Sequence, residues 1–241
     1  MANSIEQISA GVNTLLQDFD IITHNLANVS TVGYKRRCSV FSETLKAGTE
    51  EQTEGSVTSE AVFDFSQGHI IETARPLDFA LLGKGFFVIE TPEGPLYTRN
   101  GTFHINQNSQ IVNSDGSIVA GQEGPITVPT TVGLSQLNVS GDGSISAAGI
   151  TIGKFRLVDF KDIQDKLVPA GAGCYRMPEE DVQPVVAENI VVRQGCQEAS
   201  NVKMIDELVN MIIVSRLYEA NMRFIAAQKE ASNSLINVAT G

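Results

Sequence analysis

Residues 4–29, SIEQISAGVNTLLQDFDIITHNLANV, place Ile5, Ile8, Val12, Leu15, Phe19, Ile22, Leu26 and Val29 at alternating steps of three and four. That spacing holds one apolar stripe along a helix and is the seam of a helix that docks on another. The C-terminal end repeats the rhythm with Met204, Leu208, Met211, Tyr218, Met222, Ile225 and Ile236, interrupted by Ser215, Lys229 and Ser232. Two such ends are expected to find each other. A lone helix pair would leave flanking Val209, Ile213, Leu217, Phe224 and Leu235 in water, and further copies of the pair are the natural cover.

Between the ends the pattern changes. The N-terminal helix should run from about Ser4 to Val29 and stop at the turn chemistry of Thr31 to Gly33, and the triplet Lys35-Arg36-Arg37 reads as a solvated basic cluster beside the helix end. From Glu43 to Ser66 the chain is acidic and weakly patterned, a linker or extended arm with Val62, Phe63 and Phe65 as anchors. From about Leu77 the period becomes two. Phe86 to Glu90 is a strand, Pro92-Glu93-Gly94 a turn and Leu96 to Arg99 the returning strand. Asn100-Gly101 reads as a hairpin turn, with Phe103 and Ile105 buried on one face of the strand that follows. Ser114-Asp115-Gly116 and Gly141-Asp142-Gly143 separate further strands at Gln110 to Val112, Ile118 to Ala120, Leu137 to Val139 and Ile145, followed by Phe155 to Phe160, Tyr175 to Met177 and Ile190 to Arg193. The expected fold class is α+β: a mainly-β middle flanked by N- and C-terminal α-helices that pair as a coiled coil.

Composition narrows the function. With 241 residues and 42% hydrophobic content the chain can bury a sizeable core. Its formal charge of −11 argues against nucleic acid or an anionic membrane surface as the main partner. No apolar run is long enough for membrane insertion, and the first residues lack the basic and apolar regions of a cleaved signal peptide. Cys38, Cys174 and Cys196 have no metal-ligand spacing and read as inert thiols, with a single bridge left open.

Catalytic chemistry is thinly supported. His24, His69 and His104 are isolated. Gly83-Lys84-Gly85-Phe86 begins like a phosphate loop but leads into a strand, where no helix dipole waits for an anion. Asp78 and Glu90 would suit an acid pair, yet nothing in the sequence brings them together. No enzyme activity, cofactor or metal site is expected.

Three runs carry a family resemblance. Asn25-Leu26-Ala27-Asn28-Val29-Ser30-Thr31-Val32-Gly33-Tyr34-Lys35 resembles the N-terminal signature of the bacterial flagellar rod and hook proteins. Pro76-Leu77-Asp78-Phe79-Ala80-Leu81, Gly83-Lys84-Gly85-Phe86-Phe87 and Tyr97-Thr98-Arg99-Asn100-Gly101-Thr102-Phe103 are similar to the core of that family's middle domain. Gln194-Gly195, Glu198, Ser200-Asn201-Val202 and the helix through Met211, Arg216, Tyr218, Glu219 and Asn221 resemble its C-terminal signature. Gly124-Pro125-Ile126-Thr127-Val128-Pro129 is most similar to proximal rod members, with distal rod members the runner-up. Lys84 departs from the family pattern, where an acid is usual, and Gln110 stands where a turn glycine is usual.

The resemblance implies a subunit of the basal-body rod that polymerises into a helical tube around the protein export channel and transmits torque. Its partners would be copies of itself, other flagellar rod and hook proteins and the flagellar type III export apparatus, in the periplasmic space. Residues 1–36 with 199–241 would form the inner coiled-coil layer, 37–75 with 170–198 an extended connector or β arm, and 76–169 the outer β domain. Ile5, Ile8, Val12, Leu15, Phe19, Ile22, Leu26, Met204, Leu208, Met211, Tyr218, Met222 and Ile225 are the expected assembly interface. Asn28, Asn201, Arg216 and Glu219 are the expected polar or register contacts, with an Arg216–Glu219 bridge within one helix as the alternative for that pair. A different class of protein, a soluble β-rich binding module on a coiled-coil stalk, would instead use an aromatic groove, for which only Phe86, Phe87, Tyr97 and Phe103 cluster.

Overall fold

A computed structural model describes residues 2–45, 55–178, 182 and 184–240, and the side chains of 10–40, 61–161, 163–178, 182 and 184–231. The chain divides into two compact units. Residues 1–27, 37–62 and 203–241 make the first, and 28–36 with 63–202 the second.

In the first unit, helix α1 spans Ala2–Ala27, helix α2 spans Met204–Thr240, and the two pack along each other. On α2 the less exposed positions are Glu207, Met211, Val214, Tyr218, Asn221, Ile225 and Gln228, again at steps of four and three, with Asn210 beside them. This inner face differs from the apolar stripe read in the sequence, because Met204, Leu208 and Met222 of that stripe are exposed. The physical reason is that α2 is apolar on more than one side, so periodicity alone has two solutions; packing selects the one that includes polar Glu207 and Asn221. Where weak patterning predicts a linker or arm, Arg36–Leu45 and Gly55–Asp64 form a two-stranded sheet. Backbone pairing needs no side-chain alternation, which is why the sequence is nearly silent there.

The second unit is built around the strand Phe86–Thr91. It pairs antiparallel with Gly94–Thr98 across the expected turn, and also with Ile118–Gly121 and Leu157–Asp159, inside a ten-stranded sheet. Both faces of this strand are covered. Phe87 and Ile89 enter one core with Phe79, Phe103 and Phe155, while Phe86 and Val88 enter another with Tyr97, Phe160 and Tyr175. Phe87 meets Phe103 and Phe155 edge-on at 5.1 and 5.4 Å, a geometry that aromatic quadrupoles favour. Phe63 and Phe65 anchor on the second core as expected, with Phe65 edge-on to Phe86 at 5.3 Å. The four aromatics that a binding groove would have needed are all core residues.

Long-range pairing closes the unit. Val191–Gln194 pairs with Phe79–Leu82, and Cys196–Glu198 with Ile70–Glu72. The Gln194 amide donates to the Pro76 and Leu137 carbonyls and accepts the Val139 N–H, joining three segments through one side chain. The three cysteines form no disulfide among the described residues: Cys38 is half-buried, and Cys174 and Cys196 are buried. Two short 3-10 helices, Leu134–Gln136 and Lys161–Lys166, are the helical segments among the described residues of this unit.

Asn100-Gly101 is not a hairpin turn. Neither residue has a positive φ. The Asn100 side chain accepts the Thr102 N–H at 3.0 Å, and the Gly101 carbonyl accepts the Phe79 N–H at 2.9 Å. Glycine is required there for close backbone approach, since a Cβ on Gly101 would lie 1.9 Å from the Phe79 carbonyl oxygen. Gly101→Ala should therefore cost about 3 kcal/mol by forcing two backbones apart, read as a lower urea midpoint; an unchanged midpoint would refute the close approach.

The Gly141-Asp142-Gly143 turn forms as expected, with Gly143 at φ +85°. Hydrogen bonds from the Lys154 ammonium at 3.0 Å and from Ser144 hold the Asp142 carboxyl down at about 2. Its folded pKa lies below its unfolded one, so its contribution is present at neutral pH and is lost as pH falls through about 2. Lys154→Ala should move the Asp142 titration, followed by carboxyl NMR, up toward the ordinary value of 3.8.

Candidate functional site

Two arrangements stand out, one in each unit. In the first, Leu15, Leu16 and Phe19 of α1 and Val214, Ser215 and Tyr218 of α2 line an apolar groove of about 330 Å³. Ile22 is buried, Val12, Leu26, Met211 and Ile225 are half-buried, and Phe19 is exposed. The side chains of Ile5 and Ile8 lie outside the described residues. Away from α1, α2 carries exposed Ile205, Val209, Ile212, Ile213, Leu217 and Phe224, with Ile205 75%, Ile212 55% and Phe224 58% accessible. Large apolar side chains contiguous along one element are the signature of a surface that meets something else. At the C-terminal end of α1, buried Asn25 acts as a substitute strand: its amide donates to the Arg37 carbonyl at 2.9 Å and accepts the Arg37 N–H at 2.8 Å.

In the second unit the Glu198 carboxylate is wholly buried. Its Oε1 accepts the Lys35 ammonium at 2.6 Å and the Gly68 N–H at 2.9 Å, and its Oε2 lies 3.6 Å from Nη1 of Arg99. Lys35 also donates to the Ser66 carbonyl at 2.6 Å, and Nη2 of Arg99 donates to the Gly83 carbonyl at 2.8 Å. The Arg99 guanidinium sits 5.3 Å from the centre of the Phe86 ring. Burial pulls the Lys35 ammonium below its ordinary value, and Glu198 opposes that shift. The expectation of a solvated basic triplet thus fails at Lys35, which has no accessible surface, while Arg36 and Arg37 are half-buried. The reason is tertiary: a carboxylate 163 residues away waits for the lysine.

The cluster ties together the segments around positions 35, 66, 99 and 198. Close by, the Gly33 N–H donates to the Glu198 carbonyl at 2.7 Å. Asn201 accepts the Arg36 N–H at 2.7 Å and donates to the Asp64 carbonyl at 2.8 Å, so this expected register residue is engaged within its own unit. Asn28 accepts the Thr31 hydroxyl at 3.1 Å. On α2, Glu219 lies 3.8 Å from Arg223, the ion pair of its helix turn, and Arg216 is exposed. His24, His69 and His104 are exposed on separate elements; Asp78 is buried against Thr73 and Gln197, and Glu90 is exposed elsewhere. No metal-ligand cluster occurs among the described residues. Lys35, Arg99 and Glu198 each fall in a different one of the three family-like runs, and that distribution was the available signal for the cluster.

Glu198→Ala leaves two buried cations without their carboxylate and should cost about 3–5 kcal/mol, lowering the thermal midpoint by roughly 10 °C. Lys35→Met should cost less in a Glu198→Gln background than in the unaltered chain; equal costs would show that the two residues are uncoupled.

The family model for the flagellar hook protein FlgE/F/G D1 domain matches residues 80–147, and that for the flagellar basal body rod FlgEFG protein C-terminal matches residues 193–238. The flagellar basal-body rod protein FlgF of Caulobacter vibrioides is 31% identical over 231 residues, covering 92% of each chain. FlgG of Buchnera aphidicola subsp. Schizaphis graminum is 30% identical over 89% of this chain and 91% of its own. FlgG of Bacillus subtilis is 28% identical over 99% of both. With relatives of that identity aligned along nearly its whole length, and with its middle and C-terminal segments each matching a model of the same group, the chain belongs to the family of flagellar basal-body rod proteins.

Proposed function

We propose that this chain is a structural subunit of the proximal rod, not an enzyme, and that it polymerises through its terminal helices into a helical tube around the export channel. The observation that carries the reading is the apolar surface of α2 that α1 does not cover, from Ile205 through Ile212 and Ile213 to Phe224. In the assembled tube α1 and α2 form a coiled-coil inner layer, the exposed side of α2 meets neighbouring rod or hook subunits, and the β unit lies outside. A contact between two different faces does not close on itself, so it propagates along a filament. The groove at Leu15, Phe19 and Tyr218 accepts a side chain from the next subunit, and Arg216 sets register at the same surface. Two stiff cores in the β unit resist shear, which suits the transmission of motor torque. The subunit reaches the periplasmic part of the basal body through the flagellar type III export apparatus. The proximal assignment rests on the Gly124 to Pro129 segment.

The test uses side chains that are already exposed. Ile213→Asp combined with Phe224→Asp should change the stability of the free chain by only about 0.5 kcal/mol, yet abolish its incorporation into basal bodies and with it swimming. Normal incorporation of the double variant, shown by immunoblot of purified basal bodies, would remove α2 as the assembly surface.

A further inference from the structure

The loop after Phe79–Leu82 borders a cavity of about 420 Å³ within the second unit, lined by Ser66, Gly83, Lys84, Arg99 and Gln164 among others. Its chemistry is one-sided. Two of these residues are cations, none of the lining residues is an acid, and the nearest polar acceptors are already used. The Gly83 carbonyl is taken by Arg99, and the Ser66 carbonyl by Lys35 and Asn201. What is left over is donors. Arg99 is only 2% accessible, and its Nε and Nη1 make no hydrogen bond, Nη1 having only the 3.6 Å approach to Glu198. The Ser66 hydroxyl oxygen accepts from Asn201 and retains its own proton, and the Gln164 amide spends one N–H on Asp159. Lys84 stands exposed at the rim and makes no ion pair among the described residues.

Lys35 and Arg99 share Glu198, and Asp64 and Asp159 stand near them, but none of these acids lines the cavity. A cavity whose lining carries two cations and no acid is complementary to an oxyanion. We propose that this cavity binds a small oxyanion, a phosphate or carboxylate group, between Arg99 at its floor and Lys84 at its rim. Lys84 supplies the charge at the mouth. No helix dipole is involved; the side chains supply the field.

The probes are inorganic phosphate and succinate, titrated into the full chain at constant ionic strength with chloride as the reference, and followed by backbone amide NMR shifts. Phosphate or succinate should produce saturable shifts at Lys84, Gln164 and Ser66 that chloride does not. Lys84→Glu should weaken that binding by roughly tenfold or more while leaving the thermal midpoint unchanged, since the residue is exposed. Gln164→Leu serves as a second variant and should weaken binding without reversing a charge. Non-saturating shifts, shifts equal to those of chloride, or saturable binding untouched by Lys84→Glu would each overturn the proposal. Phosphate binding without succinate binding would assign a tetrahedral ligand, and the reverse a carboxylate.

Discussion

The buried carboxylate of Glu198 is the constraint around which the β unit is organised. An uncompensated charge in that position would be strongly destabilising, so the lysine at 35 and the arginine at 99 must be brought to it. Those partners come from distant parts of the chain: the turn after α1, the returning strand of the central hairpin and the last strand before α2. Their meeting fixes how the early and late segments join the unit, and Asn201, Gly33 and Ser66 add backbone hydrogen bonds around the same point. Buried ion pairs contribute little net stability against an apolar replacement, but one geometry satisfies them and most others do not. We regard register specificity as the value of the cluster here.

The helices follow a different logic. α1 and α2 cover each other along one face of α2, and the rest of that helix remains apolar and exposed. The inner face of α2 carries Met211, Val214, Tyr218 and Ile225 beside polar Glu207 and Asn221, and its outer face is apolar as well, which departs from the usual order of a globular domain. An apolar outer face is what a subunit needs if its helices are to be buried by neighbours. The β unit, by contrast, has its large aromatics inside.

Much of this architecture is legible in the sequence, because its local signals are strong. Alternation around Phe86, turn chemistry at Asp115-Gly116 and Asp142-Gly143, and heptad spacing near Leu15 each report a neighbour only a few residues away, and the corresponding elements are present. Signals that depend on distant partners are weak. Strands 70–72 and 79–82 exist because 191–198 returns to pair with them, and no window of sequence contains both halves. Lys35 looks like any surface lysine until Glu198 is beside it. Asn100-Gly101 carries turn composition, but the glycine answers a carbonyl of Phe79 and not a positive φ. On α2 the periodicity is real but only part of the stripe turns inward, Met211, Tyr218 and Ile225, while Met204, Leu208 and Met222 are exposed, since two apolar stripes share one helix.

The claim that α2 is covered by neighbours in the assembled rod is tested most directly by chemical accessibility. With Cys38, Cys174 and Cys196 replaced by serine or alanine and Ile212→Cys introduced, maleimide labelling is compared between the free subunit and purified basal bodies. The account predicts rapid labelling of position 212 in the free chain, where this side is exposed, and strong protection in the basal body. Equal labelling in both, with the protein present in the basal bodies, would contradict it.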